Sequence, residues 1–391
     1  MKKKKIALFS CILLTFLSFL IFSGAQFLPR VITLSLRHED VSFSREYAVP
    51  FSRALTFSFY RKNAVEMCRK RFSGNANAFF DYLNPSICED VTAFCRSFDR
   101  SPVEPSVLFD RNGFSYRDGA NGLQTDINET ISSLLPTFSS SVRFHILTPT
   151  ETIDDLKART VLVSSFSTSY ASSSPERKKN VSVASSRLSG VIVLPRGELS
   201  FNAAVGARTK ENGFFDAPVI ENGVYATGVG GGVCQVATTL YDAWLLSGQN
   251  AALSRPHSLL PHYVLPGLDA MVSSSGDLIL SNPTDYPFFI RSFCDGKTLT
   301  FEIYGKKPTE TYSLGSELVR TVPYDEYDVV IGEEEKILAY PVPSRVYRSY
   351  RIARSPNGSV AKEYLRLSHY LPQKGKKSVK KEYKEDALSP Q

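Results

Sequence analysis

Gly-Val-Gly-Gly-Gly-Val-Cys-Gln-Val-Ala-Thr-Thr-Leu-Tyr, residues 228–241, is the stretch on which the reading of this chain turns. Gly230, Gly231 and Gly232 free the backbone to turn sharply and admit a substrate. Past them, Leu240, Tyr241, Trp244 and Leu245 fall at helical spacing and read as core. Cys234 therefore opens a helix, where unpaired amides and the helix dipole favour thiolate over thiol. The amides of Cys234 and Gln235 are candidate oxyanion donors. Further on, Arg255-Pro256-His257-Ser258 and then Asp269 supply, in chain order, the base and the orienting carboxylate of a Cys-His-Asp triad.

A plainer reading stays open for each residue. Free cysteine is among the most buried residue types, a lone histidine after proline is commonly structural, and Asp269 between Gly267-Leu268 and Ala270 suits a turn. Cys234, His257 and His262 make a poor zinc set, because Pro261 removes helical geometry from the two histidines and no carboxylate stands at a third position. No metal and no cofactor are expected.

Working outward, further blocks appear in one order: Phe166-Ser167-Thr168-Ser169-Tyr170, Gly197-Glu198-Leu199-Ser200-Phe201-Asn202, Val205-Gly206-Ala207-Arg208-Thr209, Ala217-Pro218-Val219-Ile220, Pro266-Gly267-Leu268-Asp269-Ala270 and Asn282-Pro283-Thr284. On these blocks the chain, from Phe166 to about Arg291, resembles the VanW-like domain of bacterial envelope proteins, named for an accessory component of inducible vancomycin resistance. The resemblance implies a cell-envelope setting, peptidoglycan or its precursors as partner, and a link to glycopeptide resistance. The order Cys234, His257, Asp269 also resembles transglutaminase-like and papain-like cell-wall peptidases, in which the histidine takes the thiol proton and the aspartate orients the imidazole. In the matched block Arg-Thr-Lys-Glu-Asn-Gly-Phe, Arg208 and Glu211 flank a loop. An arginine there suits a carboxylate such as a stem-peptide terminus, with an Arg208–Glu211 surface ion pair as the plain alternative. Gly230, Gly231, Gly232 and Gln235 complete the expected substrate-binding set.

The net charge of +7 sits at the ends: Lys2–Lys5 and six lysines from Lys374 to Lys384, offset by Glu382, Glu385 and Asp386, account for all of it. The body is formally neutral, which disfavours a nucleic-acid binder. No charge occurs in the 24 residues from Ile6 to Pro29. Lysines ahead of an apolar run orient it with the body outside the cytoplasm. The run reads as a single-span anchor in the cytoplasmic membrane, or, with cleavage after Ala25, as the signal of a secreted protein. Export permits one disulfide among Cys68, Cys88 and Cys95, the pairing left open.

At 391 residues the chain has room for two or three domains. The expected fold class is α+β and multi-domain, with the glycine loop and cysteine helix packed on an antiparallel sheet. Residues 1–27 are the anchor or signal, and residues 28–165 an α+β region. Its part from Val107 to Pro149 resembles the peptidoglycan-binding segment that often precedes this family's domain. Residues 166–305 form the VanW-like domain, 306–372 a small β-rich unit, and 373–391 a disordered lysine-rich tail. Hairpins are expected around Asn112-Gly113 and Pro356-Asn357-Gly358. A helix is expected over Val181–Leu188 after an exposed serine-rich connection, and strands at Val191–Leu194, Tyr263–Leu265, Ala270–Ser273, Leu278–Ser281 and Phe288–Phe293. Two functions fit: a cysteine-dependent peptidoglycan peptidase, amidase or transpeptidase, or a wall-binding scaffold in which Cys234 is structural.

Overall fold

The computed structural model describes residues 31–60, 63–221 and 224–380. The expected N-terminal anchor and the last eleven residues of the expected tail, 381–391, lie outside these. Among the described residues no helix is long and apolar enough to cross a membrane. The fold is α+β and divides into two compact units. One runs to Pro105 and resumes over Asp118–Thr152; the other comprises Ser106–Arg117 and the chain from Ile153 onward.

In the first unit, strands Val31–His38 and Val41–Ala48 pair antiparallel, with Ser139–Ser141 added in parallel. Short helices pack on them, started by side chains that accept free amides: Asn63 from Glu66, Asn75 from Ala78, Asp126 from Glu129. Helical spacing from Phe80 is broken at Pro85 into Ala76–Leu83 and Ser86–Arg96. The core holds Leu34, Leu36, Met67, Phe79, Phe80 and Leu83, all fully buried. No disulfide joins Cys68, Cys88 and Cys95. Cys68 and Cys95 serve instead as small apolar core residues.

The second unit is built on a four-stranded antiparallel sheet in the order Val161–Ser169, Thr298–Gly305, Phe288–Cys294, Val191–Val193. The cysteine helix, Val233–Leu246, lies on this sheet, and Pro175–Leu188 packs beside it. Trp244 is wholly buried and meets the Phe288 ring edge-on at 5.2 Å.

Several expectations need correction here. The serine-rich segment is a strand through Ser169 rather than a connection. Its hydroxyls are held by the helix above, Ser164 Oγ by the Ala243 carbonyl at 2.7 Å and Thr168 Oγ1 by Thr239 Oγ1 at 2.7 Å. The following helix starts at Pro175 rather than Val181, since Ser174 caps it by accepting from the Arg177 amide, with proline in the first turn. Residues 263–265 and 270–273 form no strand; the amides of the second segment are met outside any ladder, Ala270 by Thr238 Oγ1 at 2.9 Å, Met271 by the Arg255 carbonyl at 2.8 Å and Ser273 by the Gly276 carbonyl at 2.8 Å.

The hairpin Ser106–Asp110 with Gly113–Arg117 forms as expected at Asn112-Gly113, with Gly113 at φ 124°. It belongs to the second unit, because Phe109 and Phe114 pack on Phe289 with ring centres 5.1 and 5.0 Å away. The segment Val107–Pro149 is thus divided between the two units.

After residue 305, strands Thr311–Val322, Ser344–Arg354 and Val360–Tyr370 make one antiparallel sheet. It shares a compact unit with the cysteine helix instead of standing apart, for buried Arg351 donates from Nη1 to the carbonyls of Leu245 at 3.0 Å and Gln249 at 2.8 Å. The expected disordered tail also begins too early. Gly375–Lys380 is a strand between Tyr327–Gly332 and Lys336–Ala339. Gly375 and Ser378 are buried while Lys376 and Lys380 stay exposed, and pairing with a strand on each side orders a run that composition reads only as charge.

Trp244→Ala is expected to cost about 3–5 kcal/mol by emptying this core, measured by denaturant unfolding; a change under about 0.5 kcal/mol, the surface level, would remove Trp244 as its anchor.

Candidate active site

Cys234 lies in the first turn of its helix, behind Gly232, whose φ of 104° is left-handed. A side chain on Gly231 would come within 2.5 Å of the Pro218 carbonyl. These glycines therefore answer first to backbone geometry, which glycine alone tolerates; all three also line the cavity that Cys234 faces, about 780 Å³, a size usual for ligand sites.

His257 lines the cavity, 5% exposed, and Asp269 lies fully buried behind it. Asp269 Oδ2 accepts from His257 Nδ1 at 2.7 Å and from the His257 amide at 2.6 Å. Nε2 is the ring nitrogen left free of Asp269, and the imidazole and the Cys234 thiol shift each other's ionisation. The sulfur is also 3.3 Å from the Val272 carbonyl.

Burial opposes ionisation of Cys234. The hydrogen bond and charge of His257, with Arg208 adding to them, outweigh it and hold the thiol below its ordinary value. Burial likewise opposes a charge on His257, yet Asp269 and Cys234 raise its pKa to about 9. Burial works against the Asp269 carboxylate too, and donors from His257 and Tyr370 keep it below its usual range. The arrangement favours a thiolate beside an imidazolium, from the lowered thiol pKa up to about pH 9.

The other expected site residues divide. Gln235 is committed to structure: its amide donates to the Gly232 carbonyl at 3.0 Å, and its side chain donates to Thr168 Oγ1 and the Ser169 carbonyl at 3.0 and 2.9 Å. It is thus unavailable as an oxyanion donor, whereas the Cys234 amide has no hydrogen-bond partner among the described residues. Arg208 lines the cavity and donates from Nη2 to Asn202 Oδ1. Glu211 is exposed and outside the cavity lining, so it forms no part of the site. His262, exposed, lines the cavity without completing a metal-ligating group among the described residues.

Sequence reasoning missed three residues. Tyr370 Oη donates to Asp269 Oδ1 at 2.5 Å, and Arg366 Nη2 donates to the carbonyls of Asp269 at 2.6 Å and Gly267 at 3.0 Å. Arg177, in the helix Pro175–Leu188, reaches the cavity and donates to Ser173 Oγ at 2.6 Å and Gln235 Oε1 at 2.8 Å. The capping signal at Ser174-Pro175 would have placed Arg177 on a helix; nothing local marks Tyr370 or Arg366.

Residues 176–304 match the family described as VanW like protein. Over these residues the chain is similar to VanW-like proteins. A 138-residue segment is 36% identical to the "Uncharacterized protein YoaR" of Bacillus subtilis (strain 168), covering 35% of this chain and 46% of that protein. The chain thus spans about half the length of this curated relative. No solved structure matches. Cys234, His257 and Asp269 all fall inside the VanW-like match, whereas Arg366 and Tyr370, which fix Asp269, lie beyond its end.

Because the thiol pKa is lowered, iodoacetamide should alkylate Cys234 at a rate that holds as pH falls below about 8.5, where a free thiol loses about tenfold per unit. His257→Ala should restore that loss. Coincident pH profiles for the two proteins, read by mass spectrometry of the Cys234 peptide, would remove His257 as the partner of the thiol.

Proposed function

We propose that this is an extracytoplasmic, cysteine-dependent acyl transferase that acts on peptidoglycan stem peptides. The observation that carries the reading is the convergence of Cys234, His257 and Asp269 beside one cavity, with the sulfur ionisable and the imidazole held by a buried carboxylate. The peptidoglycan substrate rests on the VanW-like resemblance. The setting outside the cytoplasm rests on Lys2–Lys5 ahead of an uncharged apolar run, which would also tether the protein to the cytoplasmic membrane. A contribution to glycopeptide resistance follows from the resemblance in the same way.

The chemistry runs in two halves. The Cys234 thiolate attacks the carbonyl carbon of an amide, and the Cys234 amide is placed to donate to the oxyanion that forms. As the C–N bond breaks, the His257 imidazolium gives its proton to the departing amine, leaving a thioester and neutral imidazole. Water or a second amine then attacks the thioester and passes a proton to His257, restoring thiolate and imidazolium. Water yields a carboxylic acid, as in a peptidase; an amine yields a new amide, as in a transpeptidase. Asp269 keeps Nδ1–H in place throughout and stabilises the charged ring.

Purified exported protein incubated with muropeptides should shift their masses by hydrolysis or exchange, and Cys234→Ala should abolish the shift while still binding the wall fragments. If Cys234→Ala matched the parent in every processing and binding measurement, the wall-binding scaffold would replace the enzyme.

A further inference from the structure

The cavity that Cys234 faces carries more positive charge than the thiolate alone balances. Arg177 and Arg208 both line it, and no aspartate or glutamate does. Their partners in the fold are neutral: Ser173 and Gln235 for Arg177, Asn202 for Arg208. The Arg208 Nε is buried and has no hydrogen-bond partner among the described residues. Asp277 acts on Arg208 at longer range, but its oxygens already accept from Ser200 Oγ at 2.5 Å and from the amides of Asn202 and Leu278 at 2.9 and 2.8 Å. Both guanidiniums line the same cavity as Cys234 and feel its charge.

One thiolate answers at most one of two guanidiniums, and partly burying the second without a counter-charge is unfavourable. Two of them facing one cavity are rationalised when the ligand brings the anion, and a planar carboxylate is the group whose oxygens match the guanidinium fork. Resting on the acyl-transfer reading above, we infer that Arg177 and Arg208 form an anion subsite for a carboxylate on the residue next to the cleaved amide. The acyl donor is then a peptide end, with the amino acid that leaves carrying the free carboxylate, and not an amide within a continuous chain. The site would act as a carboxypeptidase or as an exchanger of terminal residues. Amidated ends would be poor donors because they leave the two charges unanswered.

The test compares two alkylating reagents of nearly equal size on the full chain. Iodoacetate and iodoacetamide each form a C–S bond at Cys234 and expel iodide, and only the first carries the carboxylate. The ratio of their rates cancels the thiolate fraction. At neutral pH that ratio is expected to exceed the ratio for glutathione by about tenfold or more. Arg208→Gln and Arg177→Gln should each lower it, with Arg208→Lys, which keeps the charge, retaining part of the preference. A second measurement needs no variant: N-acetylalanine should protect Cys234 from iodoacetamide at concentrations where N-acetylalanine amide does not. Rapid iodoacetamide labelling with a glutathione-like ratio, or acid and amide alike in protection, would overturn the anion subsite and leave the thiol chemistry standing. A Cys234 inert to both reagents would overturn the acyl-transfer reading, and the subsite with it.

Discussion

The carboxylate of Asp269 is the constraint on which the candidate site depends. It is fully buried, and burial alone would protonate it; three donors, from His257 Nδ1, the His257 amide and Tyr370 Oη, keep it ionised. Those same donors tie the histidine loop and the last strand of the sheet beyond residue 305 to a single group. The imidazole is thereby held in one orientation with Nε2 towards the sulfur, and the sulfur is drawn towards its ionised form. Remove the carboxylate and each of these loses its reason.

A second buried carboxyl shows how much the surroundings decide. Asp242, on the same helix as Cys234, is also fully buried, and neither of its oxygens has a hydrogen-bond partner among the described residues. Burial first, and the charge of Asp269 second, push its pKa well above the usual carboxylate value. Two aspartates in one core are thus pushed in opposite directions, because one is met by donors and the other by burial and a like charge that Arg366 opposes without outweighing.

Much of this was legible in the sequence where the cause is local. A glycine run before a helically spaced apolar stretch gave Cys234 its position, and Asn112-Gly113 and Asn357-Gly358 marked hairpins, since turn chemistry is written in adjacent residues. The order Cys234, His257, Asp269 could be read as a triad, but its closure depends on a loop whose backbone is satisfied by side chains, which periodicity does not reveal. Tyr370 escaped because it reaches Asp269 from 101 positions away and sits on a strand that reads as ordinary surface. Gln235 misled for the opposite reason: beside the cysteine it looks like a ligand contact, while its side chain is consumed in joining Arg177 to the strand beneath. The lysine-rich strand Gly375–Lys380 was lost because composition counts charges and does not show the long-range pairing with strands on both sides that orders it.

The most direct test of the account is the protonation state of His257, followed through its ring nitrogen resonances from pH 5 to pH 10. The account requires an imidazolium through neutrality that titrates near 9, and an earlier titration once Cys234→Ala removes the facing negative charge. A ring that titrates near the ordinary histidine value of about 6.5, unchanged by that substitution, would contradict the thiolate–imidazolium pair and the chemistry built on it.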